Sequence, residues 1–448
     1  MNANTSRATL AAALLGFFVI TLDAVVVNVA LPTLGRDLGA GVGGLQWVVD
    51  GYTLMFGALL LSAGALSDRI GARRAFGLGL AVFAAASAAC GAAPTLALLV
   101  AARLAQGVGA AAMMPASMAL LRQAYPDPGE RAHAVALWAM GGAVATTSGP
   151  VVGGWLAALD WRWIFFINLP AGLLAWAFLA RTPPSPRRPA PFDAVGQAAA
   201  VVAMGALIYG AIEAGAQGLG AAPVGAAFAL AAVALAVFAG SQRRGAHPMV
   251  PAGLLAPRNA RIAMAVGFTF MAGYFGLPFV VSLYLQQQRG LSAPAAGAAF
   301  LPMMLAGLAL TPFSARLAAR FGARTLIVTG LAAMALGLAA VAALPASAPV
   351  GSIAALMVLV GLAGPFIAPP VTAVLLSSVP AELAGTASGV FNTYRQVGGA
   401  LAVAVSGALL VQMPSFMAGM RASLGLAAAL SALTAVAARG LQAPPGAR

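Results

Sequence analysis

The sequence predicts an all-α membrane protein of fourteen spans, built as two six-helix bundles with two further helices inserted between them. Three observations carry this expectation. The chain of 448 residues is 61% hydrophobic and only 8% charged, with a mean hydropathy of +0.94. A soluble protein covers its surface with roughly 25% charged residues, so the solvent of this chain is lipid. Fourteen apolar runs reach the length of about 20 residues that a helix needs to cross a bilayer. Finally, one short charged turn occurs twice. Leu66, Arg69, Gly71, Ala72 and Arg73 align with Leu317, Arg320, Gly322, Ala323 and Arg324 at a constant offset of 251 residues. A duplicated turn at that distance implies two related halves. Asp68 aligns with Ala319, so the halves have diverged.

Taken in order, the apolar runs are 9–31, 45–66, 75–93, 95–121, 133–158, 163–181, 195–213, 221–240, 260–285, 293–313, 325–344, 350–376, 386–411 and 421–438. The first resembles a signal peptide in its opening residues. It continues past Asp23 to Leu31 with no convincing cleavage site, so it reads as a retained span. The turn from Gly64 to Arg74 reverses the chain at a membrane surface, with Gly71 relieving the tight backbone and arginines in the headgroup region. Two polar breaks interrupt the series. Arg181 to Asp193 holds Pro183, Pro184, Pro186, Pro189 and Pro191 and reads as a stiff linker. Ser241 to Asn259 holds His247, Pro248, Pro251 and Pro257. Two spans lie between these breaks. The expected division is therefore a first six-helix bundle over 1–181, linkers with two inserted helices over 182–259, and a second six-helix bundle over 260–448. The Pro115–Pro126 and Pro370–Pro380 segments correspond between the halves and support the same division.

All 24 basic residues are arginine. The net charge of +14 would suggest nucleic acid in a soluble chain. Here the arginines fall in short loops, where they set orientation instead. With the N-terminus in the cytoplasm, eighteen lie on the inner side and four (Arg36, Arg162, Arg289 and Arg421) on the outer side, with Arg103 and Arg395 left inside spans. Both termini are then cytoplasmic.

A charge in the bilayer interior is costly and marks a cavity, a partner or a proton path. Of ten acidic residues, Asp37, Asp68, Asp127, Glu130, Asp160, Asp193 and Glu382 fall in loops or at span ends. Asp23, Asp50 and Glu213 lie within or at the edge of spans. At 1.5 Å per residue, Asp23 and Arg103 each sit roughly 12 Å and Asp50 roughly 8 Å from the outer end of their runs. Asp23 and Arg103 are expected to face each other across a cavity and exchange a proton or a salt bridge; the competing reading is a static buried pair that fixes packing. Asp50 is either a second proton site or a hydrated residue near the surface. Glu213 is a cavity candidate or a solvated helix end. Arg395, with Asn392, Tyr394 and Gln396, forms a polar cluster near mid-membrane, or else marks a span end. Trp138, Tyr274 and Phe275 are candidate cavity aromatics; most other aromatics are interface anchors. In the fifth span, Gly141, Ala145, Gly149 and Gly153 make one smooth stripe, with Gly142, Thr146, Pro150 and Gly154 beside it. Such stripes let helices approach closely, and Pro150 is expected to bend this helix.

No enzyme signature survives inspection. There is no lysine to complete a phosphate-binding loop. His133 and His247 are far apart in loops, and Cys90 is the lone cysteine, so neither a catalytic triad, a metal site nor a disulfide within the chain is expected.

These residues carry a resemblance to the major facilitator superfamily, specifically its drug:proton antiporter branch of fourteen spans. Gly64 to Arg74 resembles the signature loop between spans two and three. Leu22 to Pro32, which includes Asp23 and Asn28, resembles the first-span motif of that branch. Arg103 to Gly109, with Gln106 and Gly107, is similar to the span-four motif whose arginine is linked to proton transfer. Gly149 to Gly154 resembles the span-five exporter motif, and Trp161 to Pro170 is similar to a further stretch typical of the branch.

The resemblance implies a major-facilitator-like fold and proton-coupled export of small lipophilic or cationic compounds, as in drug and antibiotic efflux. A permease or exporter for one metabolite, or a membrane sensor that does not transport, are the other readings. Together with the residue readings above, the expected proton-coupling residues are Asp23, Arg103 and Asp50, the expected cavity residues are Asp23, Asn28, Trp138, Glu213, Tyr274, Phe275, Asn392 and Arg395, and the expected gate is Gly64, Asp68, Arg69, Gly71, Arg73 and Arg74. Gly149, Pro150, Gly153 and Gly154 would form the helix bend. The expected partners are a small-molecule substrate, protons and the lipid bilayer, with no nucleic acid. The driving force is the proton gradient, with no cofactor. The chain is expected to act as a monomer in the inner (cytoplasmic) membrane of a bacterium.

Overall fold

The computed structural model describes residues 3–187, 193–245, 248–380 and 383–442. Pro189, Pro191, His247 and Glu382 lie outside them. Among the described residues, fourteen helices are long and apolar enough to cross a membrane. In the first bundle these are α1 (Asn4–Leu38), α2 (Val42–Ile70), α3 (Ala72–Ala92), α4 (Leu96–Ala124), α5 (Gly129–Leu159) and α6 (Trp163–Ala180). The inserted pair is α7 (Ala194–Gln217) and α8 (Ala222–Arg244). The second bundle holds α9 (Arg258–Gln288), α10 (Ala293–Phe321), α11 (Ala323–Ala343), α12 (Val350–Ser377), α13 (Ala384–Gln412) and α14 (Phe416–Ala438).

The helices outrun the apolar runs. α1 spans Asn4–Leu38, where hydropathy alone marks 9–31, and α10 reaches Phe321. Backbone bonding continues through charged ends that protrude from the hydrocarbon. Side-chain caps set several starts: Thr95, Asp127, Ser292 and Ser415 each accept from the backbone N–H three residues on. Gly71 and Gly322 share one backbone conformation, φ 91° and ψ 136° against φ 85° and ψ 143°. Positive φ favours glycine, and it makes the repeated turn the same in both halves.

Asp193 caps α7 through Gly196 N–H at 2.7 Å and also accepts from Ser241 Oγ at 2.7 Å and Gln242 Nε2 at 2.8 Å. Burial raises its carboxyl, but these three bonds outweigh burial and hold it below the usual carboxylate range. The cap therefore fastens the start of α7 to the end of α8. α7 in turn bridges the bundles. Gln197 Nε2 donates to Ala58 O of α2 at 2.9 Å, and Gln412 Nε2 of α13 donates to Gly215 O at 2.7 Å. α8 packs on α7 and exposes Leu230, Val233, Leu235 and Val237, as a lipid-facing helix should.

The face bearing the N-terminus is called near and the opposite one far. The bundles touch along α2 and α13 over most of their length. Gln46 Nε2 donates to Val403 O and Ala404 O at 2.9 and 2.6 Å, Thr393 Oγ1 donates to Gly57 O at 3.2 Å, and a Cβ on Gly389 would stand 2.8 Å from Leu61. The other contacts sit at far ends. Gln286 Nε2 of α9 donates to Val29 O of α1 at 2.8 Å. A Cβ on Gly297 of α10 would stand 2.2 Å from Pro150 O of α5, and one on Gly154 would stand 2.6 Å from Ala293 O. Among the described residues, every hydrogen bond joining the first bundle to the second is one of these. Away from α2 and α13, the hydrogen bonds and close glycine contacts that join the bundles across the gap between them thus gather at its far end.

The far-end contact depends on glycine at the α5–α10 crossing. Gly297→Val should force the two helices apart, because the backbone at Pro150 cannot yield as a flexible side chain can. A cysteine placed at Val151 in that seam should then react several-fold faster with an impermeant maleimide applied from the far face. Unchanged labelling would show that the seam closes without this contact.

Candidate functional site

The first bundle encloses a polar cluster built from five helices. Asp23 of α1 is 0% exposed and Arg103 of α4 is 1% exposed. Arg103 Nη1 is hydrogen-bonded to Asp23 Oδ2 and donates to Gln106 Oε1 at 2.7 Å; its Nε donates to Val48 O at 2.8 Å. The other Asp23 oxygen accepts from Gln106 Nε2 at 2.8 Å and from Asn168 Nδ2 of α6 at 2.9 Å. Ser87 of α3 accepts from Gln106 and Asn168 at 3.2 and 3.0 Å and donates to Phe165 O at 2.9 Å. The guanidinium lies 4.5 Å from the centre of the Tyr52 ring, and the Tyr52 hydroxyl donates to Ile20 O at 3.0 Å. The expectation that Asp23 and Arg103 meet is met, with one correction. They do not face each other across the gap. Helices α1 and α4 pack directly, so the pair lies inside one bundle with its bonds satisfied.

Asp50 is the opposite case. It is 0% exposed, and among the described residues both carboxylate oxygens are buried without a hydrogen-bond partner. This corrects the reading of a hydrated surface residue. Helical spacing places Gln46, Asp50, Thr53, Gly57 and Leu61 on one face of α2, and Gln46, Gly57 and Leu61 of that face touch α13. Asp50 therefore lies on the seam between the bundles.

Four other candidates gather in the second bundle. Arg395 stands twelve residues into α13, in mid-helix, which removes the reading of a span end. Its Nη1 donates to Asn392 Oδ1 at 3.1 Å, its Nη2 approaches Met271 Sδ of α9 at 3.6 Å, and its Nε is buried with no partner. Phe391 lies beneath it, 5.9 Å from guanidinium carbon to ring centre. Tyr274 and Phe275 of α9 adjoin, with ring centres 6.3 Å apart, and Phe275 Cβ would lie 3.8 Å from a Cβ on Gly399.

The remaining candidates lie elsewhere. Glu213 accepts from Gln217 Nε2 at 2.5 Å at the exposed end of α7, which packs outside the seam, so it is a solvated helix end and not a cavity residue. Trp138 stacks on Phe17, ring centres 3.9 Å apart, and packs with Ala13, Leu121 and Ala134. Its role there is packing within the first bundle. Asn28 is buried, and its Nδ2 bonds to its own helix at Ala24 O and Val25 O, leaving Oδ1 without a partner.

In the turn from Gly64 to Arg74, Asp68, Arg69 and Arg74 are exposed, and none of them forms an ion pair among the described residues. The turn is tied instead to the linker after α6. Arg73 N donates to Ser185 Oγ at 3.1 Å, Arg73 Nη2 to Ala180 O at 3.2 Å, and Ser185 Oγ donates to Gln123 Oε1 at 2.6 Å. Toward its far end α5 serves two partners: Gly149 and Gly153 press on Val25 and Val26 of α1, while Pro150 and Gly154 meet α10. Helix α5 runs unbroken through Pro150.

Sequence reasoning missed Ser87, Asn168 and Tyr52 as cluster members, and Gln46 and Gln286 as bridges. Their shared signal was available for all but Gln286, which lies just past its run: each of the others is a polar group inside an otherwise apolar run.

The sequence pattern of the Major Facilitator Superfamily matches residues 13–403. The chain belongs to this superfamily. It is a multi-pass membrane protein of a transporter family and not an enzyme. It is 37% identical over 412 residues to the "Multidrug resistance protein Stp" of Mycobacterium tuberculosis, covering 91% of this chain and 76% of that one. It is 34% identical over 413 residues to the "Tetracenomycin C resistance and export protein" of Streptomyces glaucescens, covering 90% and 75%. The solved structure of the peptide transporter POT superposes with a TM-score of 0.69 at 16% identity, covering 97% of this chain and 93% of that one, a likeness of fold alone.

The cluster geometry yields a stability test. Asp23→Asn leaves Arg103 buried beside a neutral amide and should cost about 3 kcal/mol or more. Replacing both charges, Asp23→Asn with Arg103→Met, should recover much of that loss, read by thermal melting of the purified protein. Additive losses in the double variant would mean that the two residues do not act as a pair.

Proposed function

We propose that this chain exports small lipophilic organic compounds from the cytoplasm in exchange for protons, by alternating access between two rocking bundles. The observation that carries the coupling is Asp50: a buried, unpartnered carboxyl on the seam that must open and close. Burying a charged carboxylate without a partner is strongly unfavourable. An acid that is dry in one state of the transporter and wet in the other exchanges its proton between the two sides. The names of the similar proteins support the direction of transport, since they describe drug resistance and export.

In this reading the near face is cytoplasmic. The arginine asymmetry supports this, and the state described here is then open inward. The moving units are 1–181 and 260–448. Helix α7, hydrogen-bonded to both α2 and α13, follows the seam. Asp23 and Arg103 hold the first bundle rigid and form a second place where a proton can reside when the cluster opens. The turn from Gly64 to Arg74 is released from the second bundle in the inward-open state and clamps it in the other. Both walls of the gap come from one chain, so the monomer suffices, in the cytoplasmic membrane of a bacterium.

The test is efflux of a lipophilic dye in everted membrane vesicles energised to build a proton gradient. Gradient-driven uptake into the vesicles should be present for the wild type and lost for Asp50→Asn, while exchange of dye without a gradient persists. Full gradient-driven transport by the variant would move the coupling away from Asp50. Transport in the opposite direction would replace export by import, and no transport of any tested dye would favour a narrow metabolite carrier.

A further inference from the structure

The second bundle holds a cation in mid-membrane without a counter-charge. Among the described residues, no acid lies within ion-pair distance of Arg395. Its hydrogen-bonding capacity is nearly unused: one full bond to Asn392, a weak sulfur contact to Met271, and a buried Nε with no partner. Arg103, the other intramembrane arginine, bonds through Nε and Nη1 to a carboxylate, an amide and a carbonyl. The contrast needs a cause, because an unpaired buried charge is costly.

Position supplies one. On α13, Gln396, Thr393 and Gly389 face α2, while Phe391 and Gly398 face α9. Helical spacing sets Ser388, Asn392, Arg395 and Gly399 on the strip between these two faces. That strip fronts the gap. Phe391 lies beside the guanidinium, and Tyr274 and Phe275 follow its other neighbour, Met271, one turn on along α9, with Tyr274 also against Phe270 at 5.2 Å between centres. A planar cationic fork next to aromatic walls suits an anionic oxygen group on a flat apolar body. It repels cations.

We propose that Arg395 binds the acidic oxygen group of the substrate, so that this transporter carries organic anions, namely planar apolar carboxylic or phenolic acids, in preference to organic cations. The inference rests on reading the gap as the substrate path. It narrows the expected range of lipophilic or cationic compounds and reverses its charge. Asn392 is a positioning residue that aims the guanidinium. The two ends of the transport cycle are then chemically distinct: an acid on the seam for the proton and an arginine for the cargo.

The experiment compares two dyes with one xanthene core and opposite charge, fluorescein and a cationic rhodamine ester. Binding to the purified full-length protein in lipid nanodiscs is read by fluorescence anisotropy. Fluorescein should bind the wild type tighter than Arg395→Gln by about ten-fold or more. Arg395→Lys, which keeps the charge but loses the fork, should fall between them. Rhodamine should bind Arg395→Gln as well as or better than the wild type. A second measurement on the wild type guards against a misfolded variant: naphthoate should displace fluorescein, and naphthylmethylammonium should not. Equal fluorescein binding by wild type and Arg395→Gln, including no binding by either, overturns the proposal. So does equal loss of both dyes in the variant, or displacement by the ammonium probe. Flux in everted vesicles reads the wider proposal separately. Charge-selective binding without outward transport would keep the anion site and end the export reading; transport of rhodamine with no fluorescein preference would do the reverse.

Discussion

Asp23 and Arg103 are wholly enclosed by protein, and neither could remain there alone. Lipid outside and apolar side chains around them offer no solvation, so each charge is tolerated only because the other, with Gln106, Asn168 and Val48 O, fills its bonding capacity. That requirement fixes more than two side chains. It draws together α1, α2, α4 and α6, and through Ser87 it includes α3. Apolar packing between helices in lipid is weakly specific, because lipid tails are as apolar as leucine. A satisfied polar cluster has few alternative arrangements. It gives the first bundle a register and lets it move as a unit.

The seam between the bundles follows a different rule. There the contacts are small residues, backbone carbonyls and glutamine side chains: Gln46 on Val403 and Ala404, Gln286 on Val29, Gly297 on Pro150. Such contacts are close but neutral, and each can be exchanged for water or another carbonyl at modest cost. A charged cluster of the first kind placed across the seam would lock it. Charge is therefore concentrated within the bundles, where nothing slides, and the surfaces that must part are nearly free of it. Asp50 and Arg395 are the exceptions. Among the described residues, both Asp50 oxygens and Arg395 Nε are buried without a hydrogen-bond partner, and neither residue has an ion-pair partner.

The legible part of this molecule was the part that lipid dictates. Span number, the repeated turn and the close glycine stripes of α5 follow from hydropathy and small-residue spacing, and the helices sit where those signals put them. The pairing of Asp23 with Arg103 was legible because charges at matched depth in a bilayer have few places to go. Which side of a helix each charge faces was not legible. Depth is a one-dimensional quantity, and the azimuth of a side chain depends on which helices pack beside it. For that reason the pair was expected across the gap and lies inside a bundle, and Glu213, at the end of its run, was grouped with the cavity although α7 packs outside the seam. Asn168 and Ser87 carry no charge, so hydropathy passed over them, although bonding inside lipid makes a buried amide as informative as a carboxylate.

The two halves share a turn but not a chemistry. Asp68 has become Ala319, the carboxylates within spans fall in the first bundle and α7, and the second bundle carries Arg395 with no acid to match it. On the reading proposed above, this is a division of labour: Asp50 would hold the proton and Arg395 the anionic group, and placing both in one bundle would let them neutralise each other as Asp23 and Arg103 do. Separation across the gap keeps Asp50 and Arg395 available.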